Sequence, residues 1–74
     1  PEDIPETTVR EKEVWLPKFL YEQGLVDSTS EGRRMIKQGA VKLNGEKYQD
    51  ETVAIEDEMV IQVGKRKFIK LLLK

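Results

Sequence analysis

Arg33, Arg34 and Lys37 stand three and four residues apart in a segment that reads as helix. Residues at that spacing share a helix face, so their cationic heads crowd one surface. Such crowding destabilises an isolated helix slightly, and an anion on that surface would offset the cost. Lys42 and Lys47 carry the charge onward into the next segment. Lys65, Arg66 and Lys67 form a second basic group directly after Gly64. The chemistry offered is anion binding. A planar guanidinium can grip a phosphate through two parallel hydrogen bonds, while a lysine ammonium acts as a point charge. The plainer alternative for any charge run is a solvated face.

Other chemistries find little support. The chain has neither cysteine nor histidine. That removes disulfides, thiolate metal sites, the commonest general base and the commonest zinc ligand. No nucleophile–base pair can be assembled, and Ser28 is occupied as a helix cap. Asp50, Glu51, Glu56, Asp57 and Glu58 lack calcium-loop spacing and read as a solvated acidic face that would repel an anionic partner from the wrong side. No glycine-rich phosphate loop is present. The expectation is a non-catalytic domain with no cofactor and no metal. No apolar run approaches the roughly 18–20 residues of a membrane span, and no signal-peptide pattern appears. A cytoplasmic setting and no membrane partner are expected. The first residue is Pro1 rather than Met, which suggests a domain cut from a longer protein.

The elements that must position the cations can be read in order. Residues 1–13 (PEDIPETTVREKE) hold five acids, two bases and two prolines, and read as an extended acidic linker. Residues 14–74 then form the folded domain. Val14 to Gln23 reads as a first helix whose start lies near Leu16, because Pro17 is tolerated only in the first turn. Gly24 ends it, with Leu25 folding back. Trp15 could stack on a base, but its expected role is a lid on the core.

Ser28-Thr29-Ser30-Glu31 fits a capping box, with the Glu31 side chain reaching back to the N–H of Ser28. Residues 29–38 follow as the second helix, with Gly32, Met35 and Ile36 facing the core and Gly39 as its stop. Ala40 to Leu43 and Glu46 to Tyr48 flank Asn44-Gly45, which asks for a type I′ hairpin turn. Gln49 to Asp57 is a polar connection with Val53 and Ile55 as core contacts. Met59–Val63 and Lys67–Leu73 alternate as a terminal hairpin, with Lys65, Arg66 and Lys67 at its tip. The fold class is α+β: two short N-terminal helices packed on a small, mostly antiparallel sheet. Apolar residues make up 38% of the chain, enough for one small core supplying about 3–5 kcal/mol.

The net charge of −1 hides strong segregation. Residues 33–47 hold five bases and one acid, residues 51–58 four acids and no base, and residues 65–74 five bases and no acid. Distribution matters more than the sum for binding a polyanion.

The run Ser28-x-Ser30-x-x-x-Arg34-x-Ile36-x-x-Gly39-x-Val41-x-Leu43-Asn44-Gly45 resembles the alpha-L RNA-binding motif. That motif defines the domain named after the fourth protein of the small ribosomal subunit, the S-four domain. Leu20-Tyr21-Glu22-Gln23-Gly24-Leu25 is similar to the family's first helix and its Gly-Leu stop. Gly64-Lys65-Arg66-Lys67-Phe68 is similar to the last hairpin of one branch, the C-terminal domain of bacterial tyrosyl-tRNA synthetases. Gly32 departs from the family, which usually has Ala there, and Thr29 stands where many members carry a base.

The resemblance implies the alpha-L fold and binding of structured RNA, in this branch tRNA(Tyr), near its long variable arm and anticodon stem. It also implies a parent synthetase that dimerises through other domains, whereas the isolated domain is expected to be monomeric. The RNA-binding candidates are Arg33, Arg34, Lys37, Lys42, Lys47, Lys65, Arg66 and Lys67, expected on one contiguous surface with the acidic segment 51–58 kept elsewhere. Two alternatives stay open: an S-four domain acting on rRNA, and a protein-interaction domain without RNA.

Overall fold

The computed structural model describes residues 4–74. Helix α2 (Thr29–Lys37) is fixed at both ends by short-range chemistry. The Ser28 hydroxyl accepts from the N–H of Glu31 at 3.1 Å. The reciprocal bond lands one residue earlier than the motif predicts: the Glu31 carboxylate accepts from the N–H of Asp27 at 2.6 Å, not from Ser28. Two orphan N–H groups near the helix start are satisfied either way. At the far end Gly39 takes φ 76°, and the N–H groups of Gly39 and Ala40 donate to the carbonyls of Ile36 and Met35. This paired closure is a Schellman stop. Helix α1 (Leu16–Glu22) ends the same way, Gly24 and Leu25 donating to Tyr21 and Leu20. Its start matches the position of Pro17, and the Leu16 N–H donates to the carbonyl of Glu51 at 2.6 Å.

The strands are β1 (Glu6–Val9), β2 (Glu13–Trp15), β3 (Val41–Leu43), β4 (Glu46–Lys47), β5 (Thr52–Ala54), β6 (Met59–Val63) and β7 (Lys67–Leu73). Five of them form one sheet in the order β1-β7-β6-β3-β4, antiparallel except for the β1–β7 pair. β2 and β5 form a separate antiparallel pair. The architecture is therefore α+β, two short helices with a mostly antiparallel sheet. Asn44 and Gly45 both take positive φ, as a type I′ turn demands. Asn44 also ties the turn to β6, its side-chain oxygen accepting from the Val60 N–H at 2.9 Å.

The N-terminal segment departs from the linker expected of residues 1–13. Glu6–Val9 pairs in parallel with β7, Thr7 standing opposite Leu71 and Val9 opposite Leu73. Pro5 and Val9 accept backbone bonds from Lys70 and Lys74 at 2.8 and 3.0 Å. Val9 is buried. The acidic composition conceals a two-residue period in which only Thr7 and Val9 turn inward. Residues 1–3 of that linker lie outside the described residues.

The core forms where the helices cover one sheet face. Val41, Ile61 and Leu71 from the sheet and Leu16, Leu20 and Ile36 from the helices are fully buried together. The two helices approach closely at Gly32, where an added Cβ would lie 3.1 Å from the Cα and carbonyl oxygen of Pro17. That contact explains the departure from Ala at this position: a methyl group would press on backbone rather than on a side chain that can turn away.

Candidate nucleic-acid interface

All eight cations singled out in the sequence are exposed. Arg33, Arg34 and Lys37 line one shallow groove with Ser30 and Gln38. The Ser28 cap and the Schellman stop fix where α2 begins and ends, and burial of Ile36 sets its rotation, leaving the opposite face outward. This group is brought together as the helical spacing predicts.

Lys42 and Lys47 stand directly opposite each other across β3 and β4. Like charges in that position are destabilising unless an anion offsets them. The Lys47 side chain lies over the end of α2, its Cδ and Cε each 3.1 Å from where a Cβ on Gly39 would be. Gly39 thus serves twice, giving the left-handed residue and the room for a lysine stem.

Lys65, Arg66 and Lys67 lie at the β6–β7 turn and border a depression shared with Asp27, Glu31 and Met35. The turn is bound to the end of α2 through the N–H of Gly64, which donates to the carbonyl of Ala40 at 2.8 Å. Lys67 differs from its neighbours: its Nζ donates to the carbonyl of Leu25 at 3.2 Å. It holds the α1–α2 connection to the sheet. The elements that carry the three basic groups converge on the Gly39–Ala40 connection: α2 ends there, the Lys47 stem lies over Gly39, and the β6–β7 turn is bound to Ala40 through Gly64.

One acidic residue does not keep away. Arg33 Nε lies 3.1 Å from Glu51 Oε2, the only ion pair among the described residues. This corrects the expectation that segment 51–58 stays apart from the cations. The cause is a contact distant in sequence: the Glu51 carbonyl accepts from the Leu16 N–H at the start of α1, which brings its side chain against α2. Glu51 Oε1 also accepts from the indole N–H of Trp15 at 3.2 Å. The hydrogen bond from Trp15, then that from Arg33, with added attraction from Arg33 and Lys37, holds the Glu51 carboxyl below the usual carboxylate range. Glu56 too borders a depression with Lys47, whereas Asp57 is engaged elsewhere, accepting from the Leu73 N–H at 2.9 Å.

Trp15 is the second correction. It is 43% exposed and not a core lid. In β2, Val14 faces Val53 across the pair and turns inward, so Trp15, opposite Thr52, turns out. The alternation Glu13-Val14-Trp15 carried that signal, masked by the apolar residues that follow. Tyr48, just after β4, donates its hydroxyl to the Thr52 carbonyl of β5, the partner strand of β2. Burial, followed by the charges of Asp50 and Glu13, raises its pKa.

Among the described residues no group of carboxylates is placed to hold a metal ion, and no helix is long and apolar enough to cross a membrane.

Comparison with known proteins places these elements in a family. Residues 14–61, which hold both helices, the Asn44-Gly45 hairpin and the Trp15–Glu51–Arg33 contacts, match the model of the S4 domain. The chain is 56% identical over 75 residues to a tyrosine–tRNA ligase of Desulfotalea psychrophila, covering 97% of this chain and 18% of that protein. It is 49% identical over 73 residues to the tyrosine–tRNA ligase of Moorella thermoacetica, covering 96% of this chain and 18% of that protein. With that of Geobacter sulfurreducens the identity is 48% over 75 residues, covering 96% of this chain and 19% of that protein. The chain thus spans less than one fifth of the length of these relatives. With the capped α2, its basic face and the Asn44-Gly45 hairpin all inside the matched region, the chain belongs to the S4 domain family.

Proposed function

We propose that the chain is the RNA-binding module of a tyrosine–tRNA ligase, that it acts on tRNA(Tyr), and that it performs no chemistry itself. The observation that carries this reading is that the three elements bearing the exposed cations converge on the Gly39–Ala40 connection. The kinship with tyrosine–tRNA ligases supports the choice of RNA.

The mechanism is electrostatic and shape-based. Lys and Arg neutralise phosphates and release counterions. A-form RNA hides its base edges in a deep, narrow major groove, so backbone shape dominates recognition of paired regions. Arg34 and the terminal N–H groups of Arg33 serve as forks for phosphate oxygens, with Lys37, Lys42, Lys47, Lys65 and Arg66 around them. Lys67, engaged with Leu25, contributes field rather than a free head. As part of a longer ligase the module would hold the tRNA body while another domain does the chemistry.

The test is the salt dependence of binding to a bacterial tRNA(Tyr) transcript. With four to six phosphates neutralised, log K should fall against log salt with a slope of roughly −3 to −5. A slope near zero, or no binding at low salt, would return the cations to a solvated face.

A further inference from the structure

Trp15 is the only tryptophan in the chain and stands outside the work of the core. Its indole N–H is held by Glu51 Oε1 at 3.2 Å, while the other carboxylate oxygen holds Arg33 Nε at 3.1 Å. The Glu51 main chain is itself fastened, its carbonyl accepting from Leu16. One carboxylate therefore sets the edge of an exposed aromatic ring and the root of an exposed guanidinium in a fixed relation. Arg33 uses only its Nε in this contact, and among the described residues no other acceptor takes its terminal N–H groups. Lys37 is near enough to act on the same carboxylate.

An aromatic pinned by its N–H cannot turn inward to hide. With its N–H held by Glu51, the indole remains 43% exposed and shares that carboxylate with Arg33. A nucleotide matches that pairing: a flat base to stack, and a phosphate for the adjacent guanidinium. A base inside a helix has both faces covered by its stacked neighbours, so an unpaired, unstacked base is the one able to use the indole.

We propose that Trp15 stacks on one unpaired nucleobase of the bound RNA, with Glu51 as the positioning residue that aligns the indole with Arg33. This rests on the RNA-binding reading above. It adds a contact that the basic surface does not supply: one that discriminates unpaired from paired nucleotides and is insensitive to salt.

The experiment follows the intrinsic emission of Trp15 during titration with a bacterial tRNA(Tyr) transcript, in parallel with affinity measured over a salt series. Wild-type emission should be strongly quenched at saturation. Trp15→Ala should weaken binding about 5- to 100-fold, the range set by stacking of a single base, with the salt slope unchanged. Trp15→Phe should restore most of the loss, which separates stacking from any fault in folding of the Ala variant. Glu51→Gln removes a negative charge beside the phosphate-binding face, so electrostatics alone would raise affinity; a positioning role requires a fall, and no further fall in the Trp15→Ala background. Unquenched emission with the wild-type slope intact would overturn the stacking site and leave the RNA-binding reading standing. So would a Trp15→Ala affinity within twofold of wild type. A gain in affinity for Glu51→Gln would overturn its positioning role. Absence of salt-dependent binding in the wild type would remove the RNA-binding reading, and this inference with it.

Discussion

Replacing Ser28 by alanine deletes the acceptor for the Glu31 N–H and leaves every cation in place. Loss of such a cap costs about 0.5–2 kcal/mol, typically near 1. The site is exposed, so water can take over the freed N–H and very high values are not expected. Against them stands the shortness of α2, only nine residues, whose other start contact is the single bond from Asp27 to Glu31. A loss of about 1 kcal/mol is the balance. In a domain of this size it lowers Tm by about 4–8 °C. Urea unfolding followed by circular dichroism reads it directly, as a lower midpoint with an unchanged m-value. Ser28→Gly should cost only a few tenths of a kcal/mol relative to Ser. Binding of tRNA(Tyr) well below the melting range should be unaffected, because the packing of Ile36 still sets the helix rotation. An unchanged urea midpoint for Ser28→Ala would refute the cap; Ser30 would be the next candidate.

Three further outcomes follow. Removing residues 1–9 strips β1 from β7 and uncovers the buried Val9 site, so the truncated chain should melt at least several degrees lower; an unchanged Tm would make the strand a passive tether. The Glu51 carboxyl is held below its ordinary value, so its stabilising contacts are fully present above the unfolded pKa and are lost as pH falls through the lower folded pKa. Trp15 emission should therefore titrate with a midpoint below the ordinary glutamate value of about 4.3 and lose that step in Glu51→Gln; a midpoint at or above that value would contradict the contact. Gly32→Ala should fail to deliver the roughly 0.5–1 kcal/mol that helix propensity alone offers, because the methyl meets the Pro17 backbone; a full gain in the urea midpoint would show that α1 yields freely.

Local signals in the sequence were strong wherever backbone chemistry is decided within a few residues. Ser28, Gly24 and Gly39, Pro17 and the Asn44-Gly45 pair each mark a boundary that the structure keeps. The alternation of Met59–Val63 and Lys67–Leu73 places the right residues in the core. What escaped depends on partners distant in the chain. Glu6–Val9 has a strand period of only two inward residues, and its partner β7 lies some sixty residues on. Parallel pairing leaves no turn between partners to announce it.

The candidate site shows the same division. The crowding of Arg33, Arg34 and Lys37 follows from helical spacing alone. The meeting of α2, the β3–β4 hairpin and the β6–β7 tip at Gly39–Ala40 depends on the sheet order, which no local pattern gives. Read along the chain, Glu51 groups with the acids that follow it. Its position is set instead by a backbone bond to Leu16, which carries one carboxylate out of the acidic face and onto Arg33. Lys67 shows the reverse: a cation at a basic tip that is spent on the Leu25 carbonyl.

On the proposed function, the exposed face of α2 binds RNA phosphates. The most direct test is the triple variant Arg33→Gln, Arg34→Gln, Lys37→Gln, titrated with a bacterial tRNA(Tyr) transcript over a salt series beside the wild type. The variant should bind more weakly at low salt, and its slope of log K against log salt should be flatter by about two to three units. Its Tm should stay close to that of the wild type, since all three side chains are exposed. A variant that binds the transcript as tightly as wild type, with the same slope, would contradict the claim.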